Sequence, residues 1–237
     1  MTVEGNRLSQ PGKGGGLYLE RVADGVLDGV VIADNEGFFA GGLYGEMSAF
    51  ALRDSQVTRN RAHYGAGLLF SNLGDIGIHG TNITGNEAAM KGGGLLVENS
   101  HPKLTGAVLA QNAAGGEGGG VYAAWSEVEL HLTHVADNTA GEGGGLYLEA
   151  SSEARIQRSH LVANSAQAGG GIYAKDQSVV TLLDCHLRET PPRARGGGSP
   201  ALLVHDGQRL HAEGQRGRHG RGAPLPRVPA RGDRGGP

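Results

Sequence analysis

The stretch Gly14-Gly15-Gly16-Leu17-Tyr18-Leu19-Glu20 decides the fold, because the chain keeps returning to it. It reappears as Gly41-Gly42-Leu43-Tyr44-Gly45-Glu46, as Gly65-Ala66-Gly67-Leu68-Leu69-Phe70, and as Gly92-Gly93-Gly94-Leu95-Leu96-Val97-Glu98. Further copies run over 118–123, 143–149 and 169–174. The last glycines of the copies are Gly16, Gly42, Gly67, Gly94, Gly120, Gly145 and Gly171, successive steps of 25 to 27 residues. The chain is a repeat protein with a period of about 26.

A second phrase, an aliphatic residue followed two variable positions later by asparagine, keeps the same register. It reads Ile32 to Asn35, Val57 to Asn60, Ile83 to Asn86, Leu109 to Asn112, Val135 to Asn138 and Leu161 to Asn164, with a weaker copy at Val3 to Asn6. A third aliphatic row (Leu27, Leu52, Ile78, Leu104, Leu130, Ile156 and Leu182) lies upstream in strand-like alternation, as in Val128, Leu130 and Leu132 against Glu129 and His131. Three aliphatic rows separated by turn residues describe one coil of a solenoid. Stacked at the inter-strand spacing of ~4.8 Å, the rows become three walls of one apolar core. Glycine clusters would supply positive φ at one corner. Asn35, Asn60, Asn86, Asn112, Asn138 and Asn164 would form a structural ladder at another, since asparagine tolerates the left-handed region and its amide can pair with the amides above and below. Parallel strands joined this way coil right-handed. The expected fold is an all-β, right-handed parallel β-helix of about seven coils over residues 1–190.

Two other repeat folds share part of this pattern. A leucine-rich repeat would need leucine, not alanine, two residues after the asparagine, and a helix where the glycines stand, at ~1 kcal/mol per glycine. A calcium-binding nonapeptide roll would need aspartate where Gly115 to Gly120 has glycine.

The pairing of Gly-Gly-Gly-(Leu/Ile/Val)-Tyr with aliphatic-x-x-Asn-x-Ala resembles the repeats of the polymorphic outer-membrane proteins and, more broadly, of pectate-lyase-like right-handed β-helix proteins. The resemblance implies a surface-displayed or secreted passenger, often adhesive, that binds a polysaccharide or a cell-surface protein. It leaves open a carbohydrate-active enzyme on the same fold, a polysaccharide lyase or glycoside hydrolase.

Composition narrows the choice. The 44 glycines carry no Gly-X-Y period, which excludes collagen. The formal charge is -3, yet nine arginines follow Pro191, so the preceding body is acidic and argues against nucleic acid. No stretch approaches the ~20 apolar residues of a membrane helix, and Met1 to Pro11 lacks the form of a signal peptide. Cys185 is the single cysteine and occupies a row of small residues (Ser55, Thr81, Ala107, Thr133 and Ser159), so it reads as packing. No phosphate loop is present, and no cofactor is expected.

Candidate chemistry is sought by aligning rows. Glu20 and Glu46 fall on adjacent coils, as ligand-face residues close enough to share a proton or a cation. The competing reading is a solvated polar edge with Glu149 paired to Lys175. His134, His160 and His186 form a second row: a transition-metal candidate by residue type, but one whose side chains point alike rather than converge and whose flanking rows bring no carboxylate. Tyr18, Tyr44, Tyr122, Tyr147 and Tyr173 form a third, offering sugar-stacking faces if outward. Leu69 and Leu96 in the same row favour core.

Register is lost near residue 190. Residues 191–237 are rich in Arg, Gly and Pro without period, which reads as disordered chain or as an off-frame translation, with Arg231-Gly232-Asp233 a chance tripeptide. Seven coils give a rod of only ~34 Å, so the chain is expected to be part of a longer protein.

Overall fold

The structure, a computed structural model, describes residues 1–188, 202–204 and 209–213. It is a parallel β-solenoid of about seven turns, built from three sheets of eight strands and a shorter fourth of three. The first sheet collects the strands before each asparagine, from Thr2–Glu4 to His186–Arg188. The second collects the strands after each glycine cluster, from Leu17–Glu20 to Leu202–Val204. The third runs from Gly25–Asp28 to Arg209–Glu213, and the fourth pairs Arg61–Tyr64, Glu87–Lys91 and Ala113–Ala114. Each strand pairs in parallel with its counterpart one repeat on: Ile83 with Leu109, Leu95 with Val121 and Leu104 with Leu130. The strands Leu202–Val204 and Arg209–Glu213 add to the second and third sheets within the stretch read as tail. Otherwise the expectation for 191–237 lies outside the described residues.

The three aliphatic rows close on one another as the core, with Ile83, Leu95 and Leu104 fully buried from three sides of the coil. The second sheet contributes two inward positions per strand, which adds Phe70, Val97 and Leu148 to the core and sets Phe70 edge-on to Phe50 at 5.6 Å. Such burial is worth about 1.5–3 kcal/mol for each large side chain.

The asparagines form a continuous ladder. Asn35 Nδ2 donates to Asn60 Oδ1 at 3.0 Å, Asn60 to Asn86 at 3.0 Å, Asn86 to Asn112 at 3.0 Å, Asn112 to Asn138 at 3.0 Å and Asn138 to Asn164 at 2.9 Å. Each Oδ1 also accepts the backbone N–H of the preceding asparagine, and each inner Nδ2 donates to a carbonyl of the first sheet. Their backbone conformation differs from the expectation. The left-handed residue at this corner is the one before the asparagine, as at Asp34 (φ 55°), Arg59 (φ 54°), Gln111 (φ 57°) and Asp137 (φ 53°). Asparagine is therefore used for its amide, not for its tolerance of positive φ.

The glycine clusters divide their work. Gly92 is left-handed at φ 67°, as expected, whereas a Cβ on Gly94 would lie 2.7 Å from the Gly120 carbonyl oxygen and 2.9 Å from Asn112 Nδ2. The last glycine of the cluster is there because the next coil occupies the space. A further ladder runs along the corner between the second and third sheets, where Ser100, Ser126, Ser152 and Ser178 each accept the N–H of the previous coil at 3.0 to 3.2 Å.

Candidate functional site

The strands after the glycine clusters point alternate residues inward and outward, so Leu43 and Gly45 face the core while Tyr44 and Glu46 face out. Apart from Tyr18, which is exposed, the tyrosine row is buried, but not inside the coil. Tyr44, Tyr122, Tyr147 and Tyr173 lie on the opposite face of the second sheet in an apolar cluster of their own, with Ala40, Leu69 and Leu96 and with Tyr64 and Ala168 packed against it. The segments leading into the glycines roof this face. Tyr122, Tyr147 and Tyr173 stack nearly parallel, with centroids 5.5 and 5.1 Å apart, which withdraws their faces from any sugar.

Carboxylates and lysines close the cluster at two places. At the first, Glu46 accepts from Lys13 Nζ and, at 2.8 Å, from the Tyr18 hydroxyl, while Glu20 pairs with Arg21 at 3.2 Å. Glu20 and Glu46 face each other across adjacent strands. The hydrogen bonds from Lys13 and Tyr18 hold the Glu46 carboxyl below its ordinary value. Lost hydration and the Glu46 and Glu20 carboxylates push the Tyr18 hydroxyl up to about 12.

At the second place, Glu149 accepts from the Tyr122 hydroxyl, from Lys175 at 2.9 Å and from Lys91 at 3.4 Å. Lys91 also reaches the Tyr122 hydroxyl at 2.9 Å and sits 4.5 Å from that ring's centroid. Burial alone pushes the Glu149 carboxyl up, but the hydrogen bonds from Tyr122 and Lys175 outweigh it and hold the group low. Lys175 pairs with Glu149 as its row position predicts, but Lys13 and Lys91 were not legible there, because they come from the roofing segment, 33 and 58 residues from the glutamates they meet.

A depressed carboxyl stabilises the fold above its unfolded pKa of about 4.3, and the contribution disappears as pH falls through the lower folded value. Glu149→Gln should therefore cost about 1–2 kcal/mol at neutral pH. The gap from the parent should close below the ordinary carboxylate range; urea unfolding of both chains across pH 2–7 measures it. A gap independent of pH would assign the loss to packing.

His134, His160 and His186 are exposed on the outer face of the first sheet, with ring centroids 6.0 and 5.8 Å apart and planes inclined by 67° and 61°. The Cys185 Sγ is turned inward and donates to the Ile156 and Leu183 carbonyls at 3.0 and 3.3 Å, so it does not join the row. Among the described residues no group of three or more His, Cys, Asp or Glu is placed to hold a metal ion, and no helix is long and apolar enough to cross a membrane.

No curated protein and no solved structure matches the chain significantly. A protein-family model does, over residues 1–184, and it is described as periplasmic copper-binding protein (NosD). With that match covering 184 of the 237 residues, the chain belongs to the NosD family.

Proposed function

We propose that this chain is a non-catalytic β-solenoid working outside the cytoplasm, in the periplasm or on the cell surface, where it binds a glycan or a protein along its length. The state of its carboxylates carries this reading. A glycoside hydrolase needs acidic groups whose environments push them apart, one held protonated near neutrality. Here three carboxyls are held low: Glu46 by Lys13 and Tyr18, Glu149 by Tyr122, Lys175 and Lys91, and Asp34 by Arg59 at 2.6 Å. They are spent on joining coils. The family's export-side description supports the location.

The family description also names copper, and the described residues fit that ion poorly. Two imidazoles of adjacent coils can approach one ion, but the register directs His134, His160 and His186 alike, and neither carboxylate nor thiol completes the set. No copper step is assigned to them.

Turnover decides between this reading and a carbohydrate-active enzyme. Incubation with polygalacturonate, xylan and soluble cellulose derivatives should release neither reducing ends nor unsaturated products. Products that vanish in Glu46→Gln would establish the enzyme instead.

A further inference from the structure

The coils turn from the second sheet to the third through a left-handed residue: Arg21 (φ 53°), Met47 (φ 46°), Asn72 (φ 56°), Asn99 (φ 46°), Trp125 (φ 49°) and, beyond these, Ala150 (φ 54°). Asparagine and glycine adopt this conformation at least cost, and two coils do use asparagine. A bulky side chain there costs about 1–2 kcal/mol, and tryptophan and methionine gain little back by packing. Trp125 remains 65% exposed and Met47 45%. The fold does not ask for either residue. An aromatic and a thioether held in such corners and turned to water are available to a ligand.

The rest of the corner states what that is. Asn99 Nδ2 donates to Asn72 Oδ1 at 2.9 Å, and Asn72 Nδ2 to Ser71 Oγ at 3.1 Å, so the amides are aligned along the edge between the tryptophan and the methionine. At the other end of the same edge a groove of about 500 Å³ is lined by Arg21, Met47, Ser48, Asn72 and Gly74, with Val22, Ala23 and Ala49 as its apolar part. The row is a single file spanning four coil steps, about 19 Å at ~4.8 Å per step. A protein partner needs about 800 Å² of contact with an apolar centre, whereas here two asparagines separate the two large exposed apolar side chains, Met47 and Trp125. A linear, hydroxyl-rich polymer suits the file better. Its ring faces stack on the indole, its hydroxyls pair with the Asn99 and Asn72 amides, and the groove receives the following rings.

The geometry points to the corner from Arg21 to Trp125 as a binding edge for a linear glycan, a site that rests on the binding reading above and gives it a place and a ligand class. Trp125 is the only tryptophan, so its fluorescence reports on this edge alone. Titration of the full chain with cellohexaose, chitohexaose and trigalacturonate should quench and blue-shift the emission for at least one of them. Affinity electrophoresis in gels containing the matching polysaccharide should then show about tenfold weaker retardation for Trp125→Asn and for Asn99→Ala. Asparagine suits the left-handed corner, so Trp125→Asn should unfold no earlier than the parent, which separates lost binding from lost fold. Retardation unchanged in Trp125→Asn would overturn the edge while leaving a glycan-binding solenoid. Absence of any spectral shift or retardation with all three glycans would overturn the glycan assignment, and the broader reading would then stand or fall on protein partners.

Discussion

Asn112→Ala is expected to lower stability by about 3–5 kcal/mol, a large fraction of what a domain of this size has to lose. Asn112 is 1% exposed at the middle of the ladder. Its Nδ2 donates to the Ile83 carbonyl at 2.9 Å and to Asn138 Oδ1 at 3.0 Å, while its Oδ1 accepts from the Asn86 N–H at 3.1 Å and from Asn86 Nδ2 at 3.0 Å. Alanine removes both partners at once and leaves the Asn86 N–H buried without an acceptor, a group that costs about 1–3 kcal/mol by itself. Asn112→Asp should be no better, since it loses the donors and sets a carboxylate against Asn138 Oδ1. In a solenoid each coil is stabilised only by its neighbours, so a break at this inner coil weakens the array on both sides. Asn6→Ala is the matched control: Asn6 is exposed at the end of the ladder and gives up one side-chain hydrogen bond, of 2.9 Å to Asn35, for a loss below about 1 kcal/mol. Urea unfolding of the three variants tests this, and an Asn112→Ala chain within about 1 kcal/mol of the parent would refute the ladder's importance.

The second large effect comes from adding one methyl group. Gly94→Ala places a Cβ 2.7 Å from the Gly120 carbonyl oxygen and 2.9 Å from Asn112 Nδ2. Neither can yield freely: one is backbone of the next coil, and the other is fastened into the ladder by two hydrogen bonds. Relief requires two coils to part, which disturbs the inter-strand bonds on either side, so a loss of about 2–4 kcal/mol is expected. Gly74→Ala separates this clash from glycine's general effect. A Cβ there meets nothing within 4 Å and the backbone is not left-handed, so the change should be neutral or stabilising by up to about 1 kcal/mol through the unfolded chain. Thermal unfolding of both variants distinguishes the cases. Equal losses at Gly94 and Gly74 would mean that close approach is not what the glycine clusters provide.

These two positions also show how far the repeat could be read without coordinates. The 26-residue spacing of Gly94 and Asn112 with their copies specifies which residues stack, and stacking specifies the core rows Ile83, Leu95 and Leu104. It does not specify which family uses the coil. The phrases resemble polymorphic outer-membrane repeats, yet the family that matches is NosD, because residues devoted to stacking coils are shared by any solenoid of this geometry. The ion-paired cluster was half legible: Glu46 and Glu149 appear as a row, but Lys13 and Lys91 reach them from another segment at offsets unrelated to the period. The corner from Met47 to Trp125 was within reach of the same alignment. It escaped notice because it has no common residue type, only a common backbone conformation.

By itself the sequence determined the period, the parallel coil and the inward rows, since in a solenoid every main contact joins residues one repeat apart and a one-dimensional pattern contains them all. The tertiary structure alone decided where the remaining side chains point. Whether Tyr147 lies within the coil or beneath the roof outside it depends on the segment folded over it. Whether Trp125 packs or faces water depends on what the neighbouring segments leave uncovered at its corner, and neither is written in the spacing.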